Sequence, residues 1–399
     1  MENNLPDGWD ELPLSEVADA RMGETILAKD LTGSGIPVYS AGMDNTPWGF
    51  LEKPKKIHAK GTIVVSARGS IGFPKIPKND RFASTQTTIA LKLRDEALTD
   101  YCCLWLKTIN WRELTKGGAI PMLTVGDINK LVMPLPTPIE REKILSKLKA
   151  LLPKVKDAQS RLDTIPVILN RFRQSVLAAA FSGELTKTWK KKEDEEEWRE
   201  VRLGEVLNDL KYGTAKKCFK EKKKHPVLRI PNVVQGYIDL DDLKYADLDK
   251  KEYESLKLEP GDILLIRSNG SVSLVGRTAL VTDKEESMAY AGYLIRLRVN
   301  KELILPEFLQ YQFQSYAMRL QIELPARSTS GVNNINSEEV KNLQISLPPI
   351  DEQEEIVKRL KSSFAFIEKN ENEFNKAKGY TDKLEQSILA KAFRGELVR

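Results

Sequence analysis

Ten apolar positions, Ile144, Leu148, Leu151, Val155, Ala158, Leu162, Ile165, Leu169, Phe172 and Val176, recur at alternating spacings of four and three residues without a slip. Such a heptad seam predicts a helix that packs against another helix. A shift of 212 residues gives a second seam: Ile356, Leu360, Ser363, Ile367, Asn370, Phe374, Ala377, Thr381, Leu384 and Ile388. Each spans about 50 Å if continuously helical. Thr137-Pro138-Ile139-Glu140 has the capping-box form with proline at the first helical position. Gly183 and Gly395 sit where a C-terminal stop belongs. An interior proline breaks or kinks a helix, so Pro153 and Pro166 disturb the first seam, with the break expected near Ile165-Pro166. The two seams are expected to pair antiparallel. The alternative is that each packs on its own globular half.

The matched seams belong to a longer repeat. Residues 174–185 (QSVLAAAFSGEL) and 386–397 (QSILAKAFRGEL) agree at nine of twelve positions. Residues 136–148 parallel 348–360, residues 9–17 (WDELPLSEV) parallel 198–206 (WREVRLGEV), and residues 61–72 parallel 261–272. The offset grows from 189 through 200 to 212, so the second copy gained length in its middle. Helical ends that stay alike while the middles diverge fit one structural constraint serving two specificities.

The middles carry short β-branched or aliphatic runs after glycine turns, at 61–66 and 261–266, and half-buried strand candidates at 86–93 and 291–298. Helical stretches follow, near 100–114 and 306–321. The expected class is α+β: two β-rich domains in tandem pseudo-repeat, separated by two long helices forming an antiparallel coiled coil. The expected segments are 1–138, the first β-rich domain; 139–186, the first helical region; 187–200, a linker of mixed charge; 201–348, the second β-rich domain; and 349–399, the second helical region.

The 399 residues are 41% hydrophobic and 30% charged, which supports a core and excludes disorder throughout. No run of about 18 apolar residues predicts a membrane span. The start lacks a secretory pattern, and three cysteines, two adjacent, cannot build a disulfide framework or a four-ligand zinc site; a cytoplasmic location is expected. Two histidines leave little room for histidine chemistry. The net charge of +5 is mild, so nucleic-acid binding requires positive residues gathered on one face.

Arg68-Gly69-Ser70 and Arg267-Ser268-Asn269-Gly270-Ser271 follow strands directly. Arginine can make two parallel bonds to guanine, and asparagine or glutamine to adenine. The plainer reading is a turn with a solvated arginine. Lys216, Lys217, Lys220, Lys222, Lys223 and Lys224 form a basic run suited to phosphate contact or to a solvated loop. Catalytic patterns are missing. Residues 346–350 (SLPPI) lack the amide and aromatic of an adenine-methyltransferase loop, and residues 270–278 (GSVSLVGRT) are a poor phosphate loop. No metal site and no catalytic residue is expected.

This duplicated chain, with its PPIDEQ-type helix starts and QSVLAAAFSGEL ends, resembles the specificity subunit of type I restriction–modification systems. The likeness covers essentially the whole chain. Residues 165–177 look like that family's central helix; residues 258–277 and 229–236 look like its recognition segments, and residues 36–42 like another subtype's entry segment. The first copy departs at residues 117–122 (GGAIPM), where the family often has a polar stretch.

The resemblance implies that each β-rich domain is a target-recognition domain reading half of a bipartite target in double-stranded DNA. The candidate contacts are Tyr39, Ser40, Arg68, Ser70, Gln86 and Thr87 in the first domain. In the second they are Lys217, Arg229, Asn232, Arg267, Ser268, Asn269, Ser271 and Arg277. The coiled coil would set the spacing. Two methyltransferase subunits would dock, using S-adenosylmethionine, and restriction subunits would use ATP and Mg. Phe181 and Phe393 are candidate docking anchors; the alternative is that both close the core of the helix pair. Other readings are a scaffold that binds no DNA, and a specificity subunit of a methylation-only system.

Overall fold

A computed structural model describes residues 5–114, 122–189, 197–234, 236–326 and 333–398. The departure at 117–122 therefore falls, except for Met122, outside the described residues, as does half of the linker. The chain forms two compact units that are not consecutive in sequence. The first joins Met1–Asp163 with Phe374–Arg399; the second is Thr164–Glu373.

In the first unit, β1 (Ala18–Met22), β2 (Ile36–Tyr39), β3 (Ile63–Ser66), β4 (Pro74–Lys75), β5 (Arg81–Ser84) and β6 (Thr88–Leu93) build two sheets. One has the order β1-β6-β3-β4, all antiparallel. The other centres on the parallel pair β2 and β5. Alternating and continuous apolar runs explain the strands: Ile63, Val64 and Val65 are fully buried, as are Ile89 and Leu91. Helix α1 (Pro138–Leu162) then starts at Thr137, whose hydroxyl accepts the Glu140 N–H. Pro153 lies inside α1 without ending it.

The chain turns at Asp163 and Thr164, and α2 (Ile165–Phe181) begins with Pro166 in its first turn, where the missing N–H costs nothing. The break falls beside Ile165-Pro166 as expected, whereas the disturbance expected at Pro153 does not interrupt the helix. The second unit repeats the first: β7 (Leu207–Tyr212), β8 (His225–Leu228), β9 (Ile263–Ile266), β10 (Thr278–Leu280), β11 (Ala289–Tyr290) and β12 (Leu294–Val299). Its main sheet has the order β7-β12-β9-β10, and β8 and β11 form the parallel pair. The repeat is thus one of strand order and register, well beyond the residues that remain similar. The 44-residue α3 (Ile350–Phe393) closes the chain, with residues in both units.

Within each unit the helices pair antiparallel. In the first, Gln159 bonds Thr381 and Asp382, and Lys378 meets Asp163 at 2.7 Å, while Ile144 and Leu148 share a core with Leu389, Ala392 and Phe393. In the second, Arg173 meets Glu371, Phe172 meets Phe366 edge-on, and Val176, Leu177 and Ala180 share a core with Ile356, Val357 and Leu360. Ile144, Leu148, Val155, Leu169, Ile356, Leu360 and Ile367 are buried; Leu151, Leu162 and Phe374 are half-buried.

Two seam residues need correction. Phe172 is 41% exposed and Leu384 45% exposed. A straight α-helix drifts about 20° per heptad from a strict seven-residue repeat. At the helix ends the fully buried positions accordingly lie one residue on, Leu177 beside buried Val176 and Leu389 beside half-buried Ile388.

Gly183 and Gly395 end α2 and α3 with φ of 78° and 76°. Each lies against the tryptophan that begins the other copy. Gly183 faces Trp198 in the second unit, and Gly395 faces Pro6 and Trp9 in the first. Trp198 also donates its indole N–H to buried Glu352 at 2.8 Å, which accepts the Thr186 hydroxyl as well. No helix among the described residues is long and apolar enough to cross a membrane.

Candidate nucleic-acid interface

The second unit carries a cleft of about 630 Å³ where β7 and β8 end. Its floor depends on Gly213, which follows β7. A Cβ there would collide with the carbonyl oxygens of Tyr290 and Ala291, so only glycine lets the strand end approach that closely. Thr214 N–H then bonds the Tyr290 carbonyl, and Ala291 N–H the Leu228 carbonyl, bringing three chain segments to one rim.

Lys216, Lys217, Arg229, Lys244 and Arg267 line this cleft. Two of these cations are internally balanced. Lys216 pairs with Glu252 at 2.7 Å, a hydrogen bond that raises the lysine pKa and lowers that of the carboxyl. Arg229 pairs with Asp242 at 2.6 Å and holds that carboxyl below its usual range. Arg267 instead lies 4.7 Å over the Tyr212 ring, with its Nε buried and without a hydrogen-bond partner among the described residues. Tyr212 is itself fixed, since its hydroxyl accepts the Ser337 N–H at 2.8 Å. Lys217 and Lys223 flank the exposed Phe219 ring at 5.6 and 5.7 Å. Tyr293, 62% exposed, completes the wall. A cleft with surplus positive charge and an exposed tyrosine, with the exposed Phe219 ring beside its Lys217, suits a polyanion bearing flat bases.

The sequence candidates separate on this geometry. Lys217, Arg229, Arg267 and Ser268 line the cleft. Asn269 lies in a two-residue strand that pairs with Asn333–Asn334, and Ser271 is exposed just beyond it, its N–H bonded to the Asn269 side chain. Arg277 is half-buried. Asn232 is corrected: it is 1% exposed, accepting the Arg229 N–H and donating to the carbonyls of Asp239 and Asp242, so it braces the loop rather than facing a ligand.

In the first unit, Ser40 and Thr87 meet in a hydroxyl cluster with Thr85. Arg68 and Ser70 are exposed, with Arg68 Nε reaching the Met122 sulfur at 3.0 Å. Gln86 accepts the Ile26 N–H. Tyr39 is corrected: its ring is buried and its hydroxyl donates to Asn79 at 2.7 Å. Sequence reasoning missed Lys244, Tyr212 and Tyr293; only strand register brings them beside Arg267.

Phe181 and Phe393 are corrected as docking anchors. Phe393 is 6% exposed and packs edge-on against Tyr101; Phe181 packs edge-on against Phe308. Both close cores.

One module built twice, with the same strand order but different polar chemistry at matching rims, defines a duplicated recognition protein. A family model described as the type I restriction modification DNA specificity domain matches residues 6–163 and again 195–378. The chain belongs to this family, that of type I restriction–modification specificity subunits. It is 30% identical to the Type I restriction enzyme EcoKI specificity subunit of Escherichia coli (strain K12), over 98% of this chain and 90% of that protein. It is equally similar to the StySPI specificity subunit of Salmonella potsdam, 30% identical with the same coverage. Its fold matches, with a TM-score of 0.76 and 20% identity, a chain solved in work on assembly and conformational transition of the type I R-M system, covering 99% of this chain and all of that one. The HsdS subunit from Thermoanaerobacter tengcongensis matches with a TM-score of 0.58 and 20% identity, over 98% of both chains.

Proposed function

We propose that each unit reads one half of a bipartite site in double-stranded DNA, and that the helical segments set the spacing between the half-sites. Two methyltransferase subunits dock on the repeated helical regions, one per copy, and restriction subunits join them. This chain performs no covalent step. S-adenosylmethionine belongs to the methyltransferase partner, and ATP and Mg to the restriction partner. The observation that carries the reading is the pair of equivalent rims with unlike chemistry: Ser40 follows β2 where Arg229 follows β8 in the same register.

Base-resolution mapping of adenine methylation, with this gene present or deleted and its methyltransferase retained, tests the reading. A split motif that disappears on deletion supports it; an unchanged pattern overturns it. Within the second unit, Lys217 and Lys244 act on phosphates. Replacing each with alanine is expected to weaken DNA binding across sequences and to lower the slope of log affinity against log salt by about one for each phosphate no longer neutralised. Titrations of the assembled complex from low to high salt check this; an unchanged slope removes both lysines from the interface.

A further inference from the structure

Lys75 lies on β4 at the edge of the first main sheet and is 7% exposed. Its ammonium donates to three backbone carbonyls, those of Ser40 at 2.7 Å, Asp44 at 2.9 Å and Gly42 at 3.4 Å. All three belong to the loop that leaves β2. The same loop is tied by Gly42 N–H to Ser66 Oγ, by Ala41 N–H to Thr87 Oγ1 and by Asn45 Nδ2 to the Ile76 carbonyl. Met43 sits between the Lys75-bound carbonyls and is 71% exposed.

A buried ammonium held by neutral carbonyls loses hydration that an apolar residue would not lose. Burial accordingly lowers its pKa, a shift that the nearby Asp44 charge only opposes. The fold does not demand this residue. Val64 pairs with Lys75 as Leu264 pairs with Ala279, so the second unit has a buried alanine in the same place. There the corresponding loop is braced by the neutral amide of Asn232. Each unit thus uses buried polar side chains to fix the loop after its parallel strand, Lys75 and Ser66 in the first and Asn232 in the second.

We propose that Lys75 is a positioning residue for sequence reading by the first unit: it holds the 40–48 loop in one shape, with Met43 presented to the base edges of the first half-site. This rests on the DNA reading proposed above. An apolar side chain on a fixed loop suits contact with a thymine methyl group. Fixing the loop beforehand removes an ordering cost at the moment of binding.

The experiment uses the full chain assembled with its methyltransferase, and duplexes carrying the mapped bipartite target or single base-pair changes in either half. Methylation rates give a discrimination ratio for each half. Lys75→Met keeps the stem and removes the charge; Met43→Ala leaves the clamp and removes the exposed side chain, so it tests the same loop without touching the core. Both are expected to lower discrimination in one half about tenfold and to leave the other half unchanged. Wild-type ratios in both halves for either variant, or equal losses in both halves, overturn the proposal. A wild-type complex that discriminates in neither half overturns the DNA reading itself.

Discussion

Phe393→Ala is expected to destabilise the first unit by about 3–5 kcal/mol, the usual cost of emptying a buried aromatic site. The ring is buried beside Tyr101, in the same core as Leu389, Ala392, Ile144 and Leu148. Its loss leaves a void between two helices and a recognition domain, where close packing limits collapse. Denaturation of the full chain, with probes in each unit, checks this. The transition of the first unit should move to lower denaturant while that of the second stays. Phe181→Ala, against Phe308, should move the second transition instead. Unchanged stability with lost methyltransferase assembly would restore the docking role that burial argues against.

Gly213→Ala is expected to disable the second unit's cleft. The residue does not have a positive φ, so the cost is steric and not conformational. Its Cβ meets two backbone oxygens, and backbone cannot rotate aside as a flexible side chain can. Overpacking of this kind costs about 1–3 kcal/mol or more. The strain falls on the segment that carries Ala291, Gly292 and Tyr293, all of which line the cleft. DNA affinity should fall at least about tenfold, equivalent to roughly 1.4 kcal/mol. Discrimination in the half-site read by the first unit should persist. Binding isotherms on wild-type and half-altered duplexes measure both. Gly23 makes the same close approach to the Ser84 and Thr85 carbonyls, which marks this packing as part of the repeated module.

The duplication, the helix phases and the helix stops were legible because they depend on local spacing. Heptad periodicity identifies which face is apolar, and Gly183 and Gly395 mark ends that left-handed backbone confirms. Periodicity does not name the partner. Nothing in the spacing of Trp9 says that it packs near Gly395 and not near Gly183. Phe181 and Phe393 were ambiguous for the same reason: a repeated aromatic at a helix end fits a core or a docking face equally well until its neighbours are known. The candidate interface was partly legible through Arg267 and Lys217. Its electrostatics were not, because Arg229 and Lys216 meet their carboxylates across the fold. Lys75 was invisible, since a lysine between Pro74 and Pro77 resembles any surface residue until strand register buries it.

The interleaving of the two units has a consequence for the order in which they can mature. The second unit is a continuous stretch, so all its parts have been made once Glu373 has been added. The first unit needs Leu389, Ala392 and Phe393, made some 230 residues after its first segment ends at Asp163. At roughly 5–20 residues per second, that gap is about 10–50 s of synthesis. During that interval Ile144 and Leu148 lack the helix that covers them, and the earliest recognition domain is the last to close. A chain halted between Glu373 and Leu389 would hold every residue of the second unit while lacking Leu389, Ala392 and Phe393 of the first.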